Sequence, residues 1–336
     1  MKKLKFLEEF REKVYYCFKC GMCQYESYDG LLDDLPSLFS IVCPAWETWK
    51  LEAYTAPGKN EICRGLLENK ISLDEKTLEI IYGCTLCGAC NEQCSITKKT
   101  KHIEKFGGST LPYDPLKIQL ALRRQAVELG VGPLQKHKGF AESIRMNRNP
   151  YLESHETRFK WFKGSRRKNK AEIAYFSGCT ASYRELPIAE NTVKIFDKLG
   201  IDYTLLDEWC CGSPLIMTGQ YEMAEDLAKH YMKEIKKAGV RTVVTSCAGC
   251  FRTLKEFYPE MIGETGFQVL HLTEFLNDLI QKGKLNFKKA VNATVTYHDP
   301  CHLGRAVGVY EAPRYLIDSI NSANLIEIET RRNYSH

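Results

Sequence analysis

The chain has 336 residues, 47 lysines and arginines against 42 aspartates and glutamates, a formal net charge of +5, and 44% hydrophobic residues. That length suits two or three domains, and that balance belongs to a globular chain with a core, not a disordered or strongly basic one. No apolar run approaches the ~18 residues needed to cross a bilayer, which leaves the load of 15 cysteines as the informative departure from an ordinary composition.

Met1 to Phe10 is basic but lacks the continuous apolar stretch of an export signal. Leu4, Leu7 and Phe10 share one face and predict an amphipathic helix. Nothing points to an oxidising compartment, so a disulfide framework is a weak account of the cysteines. They fall in runs: Cys17-x-x-Cys20-x-x-Cys23, then Cys43-Pro44, then Cys84-x-x-Cys87-x-x-Cys90 closing with Cys94. Structural zinc pairs two CxxC units, or CxxC with histidines. A triple run with a remote fourth cysteine, repeated, fits zinc poorly and fits iron–sulfur ligation well.

Residues 1–105 resemble a two-cluster ferredoxin module, in which the fourth cysteine of each run ligates the other cluster. The resemblance implies one [4Fe-4S] cubane on Cys17, Cys20, Cys23 and Cys94, and a second on Cys43, Cys84, Cys87 and Cys90. Gly21, Gly83 and Gly88 suit loops whose N–H groups turn toward sulfide. Two departures from the pattern stand out. Residues 24–42, with Asp29-Gly30 and Asp33-Asp34, intervene before Cys43-Pro44 and read as a surface insertion, and the second run ends in Cys94-Ser95 where proline is usual. Cys63 belongs to no run and reads as a small buried apolar residue. Each cubane on four thiolates carries about −2, so two would bring the net charge to about +1. The positive balance is therefore no nucleic-acid signal, and the basic stretch 163–170 reads as a solvated linker.

Residues 106–170 read as a helical connector. Asp114-Pro115 opens a helix that ends near Gly130, and Asn149-Pro150-Tyr151 breaks the pattern. Arg158-Phe159-Lys160-Trp161-Phe162 is expected to pack against a neighbouring domain, and the connector is assigned no chemistry.

From about residue 171 short apolar strands alternate with helices. Strands are predicted at 172–176, 203–206 and 242–245, and helices at 191–199 and 222–237, which makes an α/β pattern with a parallel sheet. Cys179, Cys210, Cys211, Cys247 and Cys250 follow the C-terminal ends of those strands, where open α/β sheets place their ligand crevices. A further helix is predicted over 251–257, just after Cys250, with its first N–H groups turned toward an anionic group.

The pattern Cys179…Cys210-Cys211-Gly212…Cys247-x-x-Cys250 resembles the CCG domain of heterodisulfide reductases, shared by iron–sulfur subunits of glycolate, lactate and anaerobic glycerol-3-phosphate dehydrogenases. The order of ferredoxin module, helical linker and CCG domain resembles the D-type subunits of heterodisulfide reductases over nearly the whole chain. Pro57-Gly58-Lys59 and Arg64-Gly65-Leu66-Leu67 are similar to that family's segment between the two ferredoxin runs. The resemblance implies a fold that is α+β and α/β: a helical two-[4Fe-4S] ferredoxin-like module, then α/β CCG domains with a parallel sheet. It also implies one non-cubane [4Fe-4S] cluster on the five CCG cysteines.

A repeat begins at Val295-Thr296-Tyr297-His298-Asp299-Pro300-Cys301, which echoes Ile173 to Cys179, and helix 312–320 and strand 325–328 follow in the same order. Residues 171–290 thus read as a first CCG domain. Residues 291–336 read as the start of a second, incomplete because no second Cys-Cys-Gly precedes His336 and a closing strand would be left unpaired. A second non-cubane cluster is expected if the chain continues, with Cys301 opening its site. His298, His302 and Arg305 are further candidates there, to contact cluster or substrate, to donate a proton, or simply to order the loop.

Two functions share every motif. One is disulfide/thiol redox chemistry at the CCG site, fed one electron at a time through the two cubanes. The other is an electron relay between a flavin-dependent dehydrogenase and a quinone or other carrier. The sequence has neither GxGxxG after a strand nor a P-loop, so a flavoprotein, a membrane haem-b protein or a quinone-reactive protein is expected as partner. A small disulfide or thiol is the expected substrate, nucleic acid is not expected, and the expected location is the cytoplasm, at the inner face of a membrane through a partner.

Overall fold

The computed structural model describes residues 4–24, 41–94, 96, 113–164 and 170–328. The insertion around Asp29 to Asp34, the segment 97–112, the basic residues 165–169 and everything after 328 lie outside the described residues. The chain divides into two compact units. The first takes the described residues up to His137 with Ile216–Gln220, and the second takes Lys138–Leu215 with Tyr221–Ile328.

In the first unit the expected N-terminal helix is instead two 3₁₀ turns, Glu8–Phe10 and Lys13–Tyr16. The ten residues from Met1 to Phe10 fall below the ~12 that make an isolated α-helix stable. The apolar face is buried all the same, with Leu7, Phe10 and Val14 in one core with Leu66, Leu67, Ile81, Ile118 and Leu122. Helix α1 (Pro44–Trp49) starts directly after Cys43 with Pro44 in its first turn. Helices α2 (Ala56–Leu67), α3 (Glu75–Tyr82) and α4 (Ala89–Gln93) follow. Helix α5 (Pro115–Glu128) starts where Asp114-Pro115 predicts, and the Asp114 carboxylate accepts from the Lys117 N–H at 2.9 Å. Helix α6 (Gln135–Asn147), whose residues from Lys138 on belong to the second unit, ends just before Asn149-Pro150.

The second unit is built on a parallel sheet in the order β2-β1-β3-β4, from β1 (Ile173–Phe176), β2 (Tyr203–Thr204), β3 (Thr242–Thr245) and β4 (Gln268–His271). Between the strands run α7 (Gly178–Tyr183), α8 (Leu186–Lys198), α9 (Ser213–Met217) and α10 (Tyr221–Ala238). After β3 come α11 (Ala248–Arg252), a π turn (Thr253–Phe257) and α12 (Tyr258–Ile262), and after β4 comes α13 (Leu272–Gln281). The central strands are apolar on both faces because both are covered. Ala174, Phe176 and Val243 pack with Tyr231, Ile235, Phe251 and Tyr258, while Tyr175 and Val244 pack with Val193, Phe196, Trp161 and Phe275. Trp161 and Arg158 are therefore parts of this unit and not of a separate connector. The helix predicted after Cys250 begins earlier, at Ala248, so Cys247 is its N-cap and Cys250 lies in its first turn. Strands β5 (Ala293–Val295) and β6 (Ala323–Leu325), with α14 (Glu311–Asp318) between them, pair in parallel as a separate two-stranded sheet, so the strand of the repeat is paired, not bare.

His271 caps α13: its Nδ1 accepts from the Thr273 N–H at 3.4 Å, and its own N–H donates to Glu274 at 2.9 Å. Burial pushes its imidazole down to about 4. Its unfolded value is near 6.5, so the unfolded chain binds the extra proton between those two pH values. Stability is then full above about pH 6.5 and falls as the pH drops toward 4, by roughly 3 kcal/mol for this group. Denaturant unfolding of His271→Asn, which keeps a good cap, is expected to show a flatter pH dependence over that window.

Candidate metal centres

Two cavities lie in the first unit. One, of about 340 Å³, is lined by Cys17, Cys20, Cys23, Cys94 and Cys90 together with Phe18, Tyr113 and Pro115. The other, of about 360 Å³, is lined by Cys43, Cys84, Cys87 and Cys90 together with Lys59, Leu116 and Gln119. Helix α2 borders both through Ala56, and Cys90 reaches both. Cys94 leaves its own run to join the first three cysteines, and Cys43 joins the second three. Polar groups aim at the sulfurs. The Ala45 and Trp46 N–H groups donate to Cys43, the Leu86 N–H lies 3.3 Å from the Cys84 sulfur, and the buried Tyr113 phenol hydrogen-bonds Cys17. Cys84 Sγ donates to Gln119 Oε1 at 2.8 Å. Burial, then the neighbouring thiols, pushes the Cys23 and Cys90 thiols up. Deprotonating several of them together therefore needs a positive group among them. Cys63 lines neither cavity. It is fully buried beside Leu66, Leu67 and Ile81, and burial alone raises its thiol.

In the second unit the chain leaves β1 toward β2 on one side and returns to β3 on the other, so the sheet order reverses at β1. The crevice beyond the strand ends at such a reversal is the usual ligand site of an open α/β sheet. Cys179 follows β1, Cys210 and Cys211 follow β2, and Cys247 and Cys250 follow β3. Their sulfurs form one hydrogen-bonded chain in which Cys210 shares with Cys179 and Cys211, and Cys250 shares with Cys211 and Cys247. Those bonds hold the Cys179, Cys211 and Cys247 thiols below the usual value and push Cys210 and Cys250 well above it.

A buried ion pair fixes this crevice. Arg158 is fully buried and donates to Glu208 Oε1 at 2.5 Å, and its Nη2 lies 3.5 Å from the Cys179 sulfur. Glu208 in turn accepts the Ser177 N–H at 2.8 Å and the Gly178 N–H at 2.9 Å. One carboxylate on the β2 loop thus holds the turn that carries Cys179. Arg158 Nη1 is buried without a protein partner, on the same guanidinium whose Nη2 lies near Cys179. The donor chemistry fits an anionic iron–sulfur group: clustered thiols, backbone N–H groups and unsatisfied cationic N–H, with no carboxylate lining either cavity of the first unit among the described residues.

The sequence carries two matching domains: a 4Fe-4S dicluster domain over residues 12–97, and a cysteine-rich CCG domain over 173–255 and 295–335. The subunit designated D in the dihydromethanophenazine:CoB–CoM heterodisulfide reductase of Methanosarcina acetivorans is 41% identical over 262 residues, covering 76% of this chain and 60% of that one. The chain carries the domains of CCG-type iron–sulfur proteins and is similar to this subunit over most of its own length. The subunit designated B in the CoM/CoB fumarate reductase of Methanothermobacter marburgensis is 35% identical over 75% of this chain and 47% of its own. The EtfAB:quinone oxidoreductase of Syntrophomonas wolfei is 28% identical over 80% of this chain and 37% of its own. The chain thus spans 60% or less of each of these three relatives. No solved structure matches it.

Of the residues singled out for a second CCG site, His302 is brought to the first one. A Cβ built on Gly249 of the Cys247-x-x-Cys250 turn would lie 3.7 Å from His302 Nδ1, 3.6 Å from Ser213 Oγ and 3.9 Å from the Cys247 sulfur. Burial, reinforced by Arg252, pushes His302 down to about 4, so its ring is neutral at pH 7 and is not a ready proton donor. His298 is exposed, and Cys301 and Arg305 are half-buried. The family pattern gave no notice of Arg158, Glu208 or Gln119, and it marked Lys59 only as part of a motif without a role. Gly178 has φ +77°, and a Cβ there would meet the Cys250 sulfur at 3.0 Å. Gly178→Ala combines a strained backbone with a wedge into the thiol chain. It is expected to lower the iron bound by the second unit while the visible absorption of the first unit's centres persists, as iron analysis would show.

Proposed function

We propose that the chain is an iron–sulfur oxidoreductase subunit that carries electrons through two [4Fe-4S] cubanes to a CCG site where disulfides and thiols are interconverted. Cys17, Cys20, Cys23 and Cys94 would hold one cubane, and Cys43, Cys84, Cys87 and Cys90 the other. Cys179, Cys210, Cys211, Cys247 and Cys250 would hold a non-cubane [4Fe-4S] cluster. The observation that carries this reading is the single hydrogen-bonded chain of five sulfurs, drawn from three strand ends and flanked by the Arg158 guanidinium. Five thiols exceed the four of a cubane. The clusters would supply electrons one at a time, whereas cleaving a disulfide takes two electrons and two protons and yields two thiols.

The protein's own residues would do the rest. Arg158 and Glu208 keep the Cys179 turn against the β2 loop, and the Arg158 guanidinium, through Nη2, offers a buried donor to developing thiolate charge at Cys179. His302, neutral and facing the CxxC turn, would accept a hydrogen bond and not supply the proton. Both protons would then come from solvent.

The likeness to an EtfAB:quinone oxidoreductase over 80% of the chain favours a second reading, an electron relay that makes no bonds of its own. Either way a partner would supply flavin, haem or quinone chemistry. Among the described residues no helix is long and apolar enough to cross a membrane. EPR of the oxidised protein with and without added thiol separates the two readings. Disulfide chemistry requires a new paramagnetic species on thiol addition, and an unchanged spectrum leaves the relay.

A further inference from the structure

Resting on the two-cubane reading, the geometry points to Lys59 as the buried counter-charge of the second cubane, a group that makes this cluster easier to reduce. Lys59 is 1% exposed, yet it lines the cavity of Cys43, Cys84, Cys87 and Cys90. Its ammonium donates to the carbonyls of Tyr54 and Thr55, at the turn that starts α2, so it is anchored at a fixed place. Its field is felt at Cys43, and those of Cys43, Cys84 and Cys90 are felt at Lys59.

The first cavity is built differently. Its lysine, Lys19, has a side chain 45% exposed and already pairs with Glu61 at 3.2 Å. Cys20 is exposed and Phe18 is 66% exposed, so water can solvate charge there. Adding an electron to a cluster of about −2 makes it about −3, which costs more where water is excluded. At the first cavity solvent lowers that cost. At the second a fixed, buried cation does so as well, because a unit charge on the protein side of the cavity is weakly screened. Arg123, 5% exposed and donating to the Cys84 carbonyl, adds to the same field from farther back. Removing Lys59 therefore weakens the effect without abolishing it.

The step involved is a one-electron reduction, with the electron supplied by the partner or by a chemical reductant and no bond made or broken. Potentiometric titration of the whole chain, followed by EPR of the reduced cubanes, tests the role. In Lys59→Met one cubane wave is expected to move to lower potential while the other stays. The ratio of reduced to oxidised cluster at the old midpoint should fall at least about tenfold, equivalent to about 59 mV for one electron. Lys59→Arg, which keeps the charge, should restore it. If Lys59→Met fails to take up iron, Lys59→Gln still donates to the same carbonyls without the charge and reads the same shift. Two waves unmoved, or both moved together, would overturn the role of Lys59. A wild-type chain with fewer than about eight irons and a single wave would sink the two-cubane reading itself, and iron analysis tells that failure from the other.

Discussion

Glu208→Ala is expected to destabilise the second unit by about 3–5 kcal/mol and to strip it of iron, because it leaves the Arg158 guanidinium charged and unpaired in the interior. The loss goes beyond one ion pair. Glu208 also accepts the Ser177 and Gly178 N–H groups, so its removal frees the turn that carries Cys179 from the loop that carries Cys210. Glu208→Gln keeps an acceptor for only one of those two N–H groups, which bond to different oxygens of Glu208, and removes the charge, so its cost should be smaller than that of alanine but still measurable. In the double variant Arg158→Met, Glu208→Gln no charge is stranded, and most of the stability should return. Iron should not return with it, since the donor beside Cys179 is gone. Denaturant unfolding together with iron content separates the two effects. Full iron in the double variant would mean that Arg158 is only structural.

Cys211→Ser is expected to remove disulfide-directed activity by at least about a hundredfold, since even changes to groups that merely support a metal's ligands cost 10–100-fold. Cys211 is the middle of the sulfur chain, between Cys210 and Cys250, and it also accepts from the Ser213 N–H and the Thr253 side chain. Serine offers a hard oxygen where iron and sulfide favour a soft thiolate. The EPR signals of the reduced cubanes should be unchanged, because no cysteine of the second unit lines either cavity of the first. Cys63→Ser is the matching control. It buries a hydroxyl among Leu66, Leu67 and Ile81, at a cost of about 1–3 kcal/mol, and should leave the iron content as it was.

The two spacings of cysteine carried most of what could be read from sequence. Metal ligation demands particular residue types at short intervals, and short intervals survive as motifs. The strands β1 and β3 were legible for a similar reason, as brief apolar runs ending at Ser177 and Ser246. Arg158 was not legible. It is 21 residues before Cys179 and 50 before Glu208, in a stretch rich in basic and aromatic residues, and only the packing of Trp161 against Tyr175 swings it under the sheet edge. Lys59 sat within a recognised motif, but a lysine reads as a surface residue until its burial is seen. Strand β4 escaped notice because Gln268 is exposed and His271, an uncommon cap, leads into α13 with no turn residue to mark the change. The N-terminal helix failed on length, although its apolar face was right.

The most direct measurement is a single turnover: the chain is reduced chemically, mixed with a small disulfide, and sampled by rapid-freeze EPR while released thiols are counted. The expected result is loss of the reduced cubane signals in step with thiol release, two electrons for each disulfide cleaved, and no thiol release in Cys211→Ser. Cubanes that stay reduced in the presence of disulfide but are reoxidised by a quinone analogue would contradict disulfide chemistry at the CCG site and leave the chain as a relay.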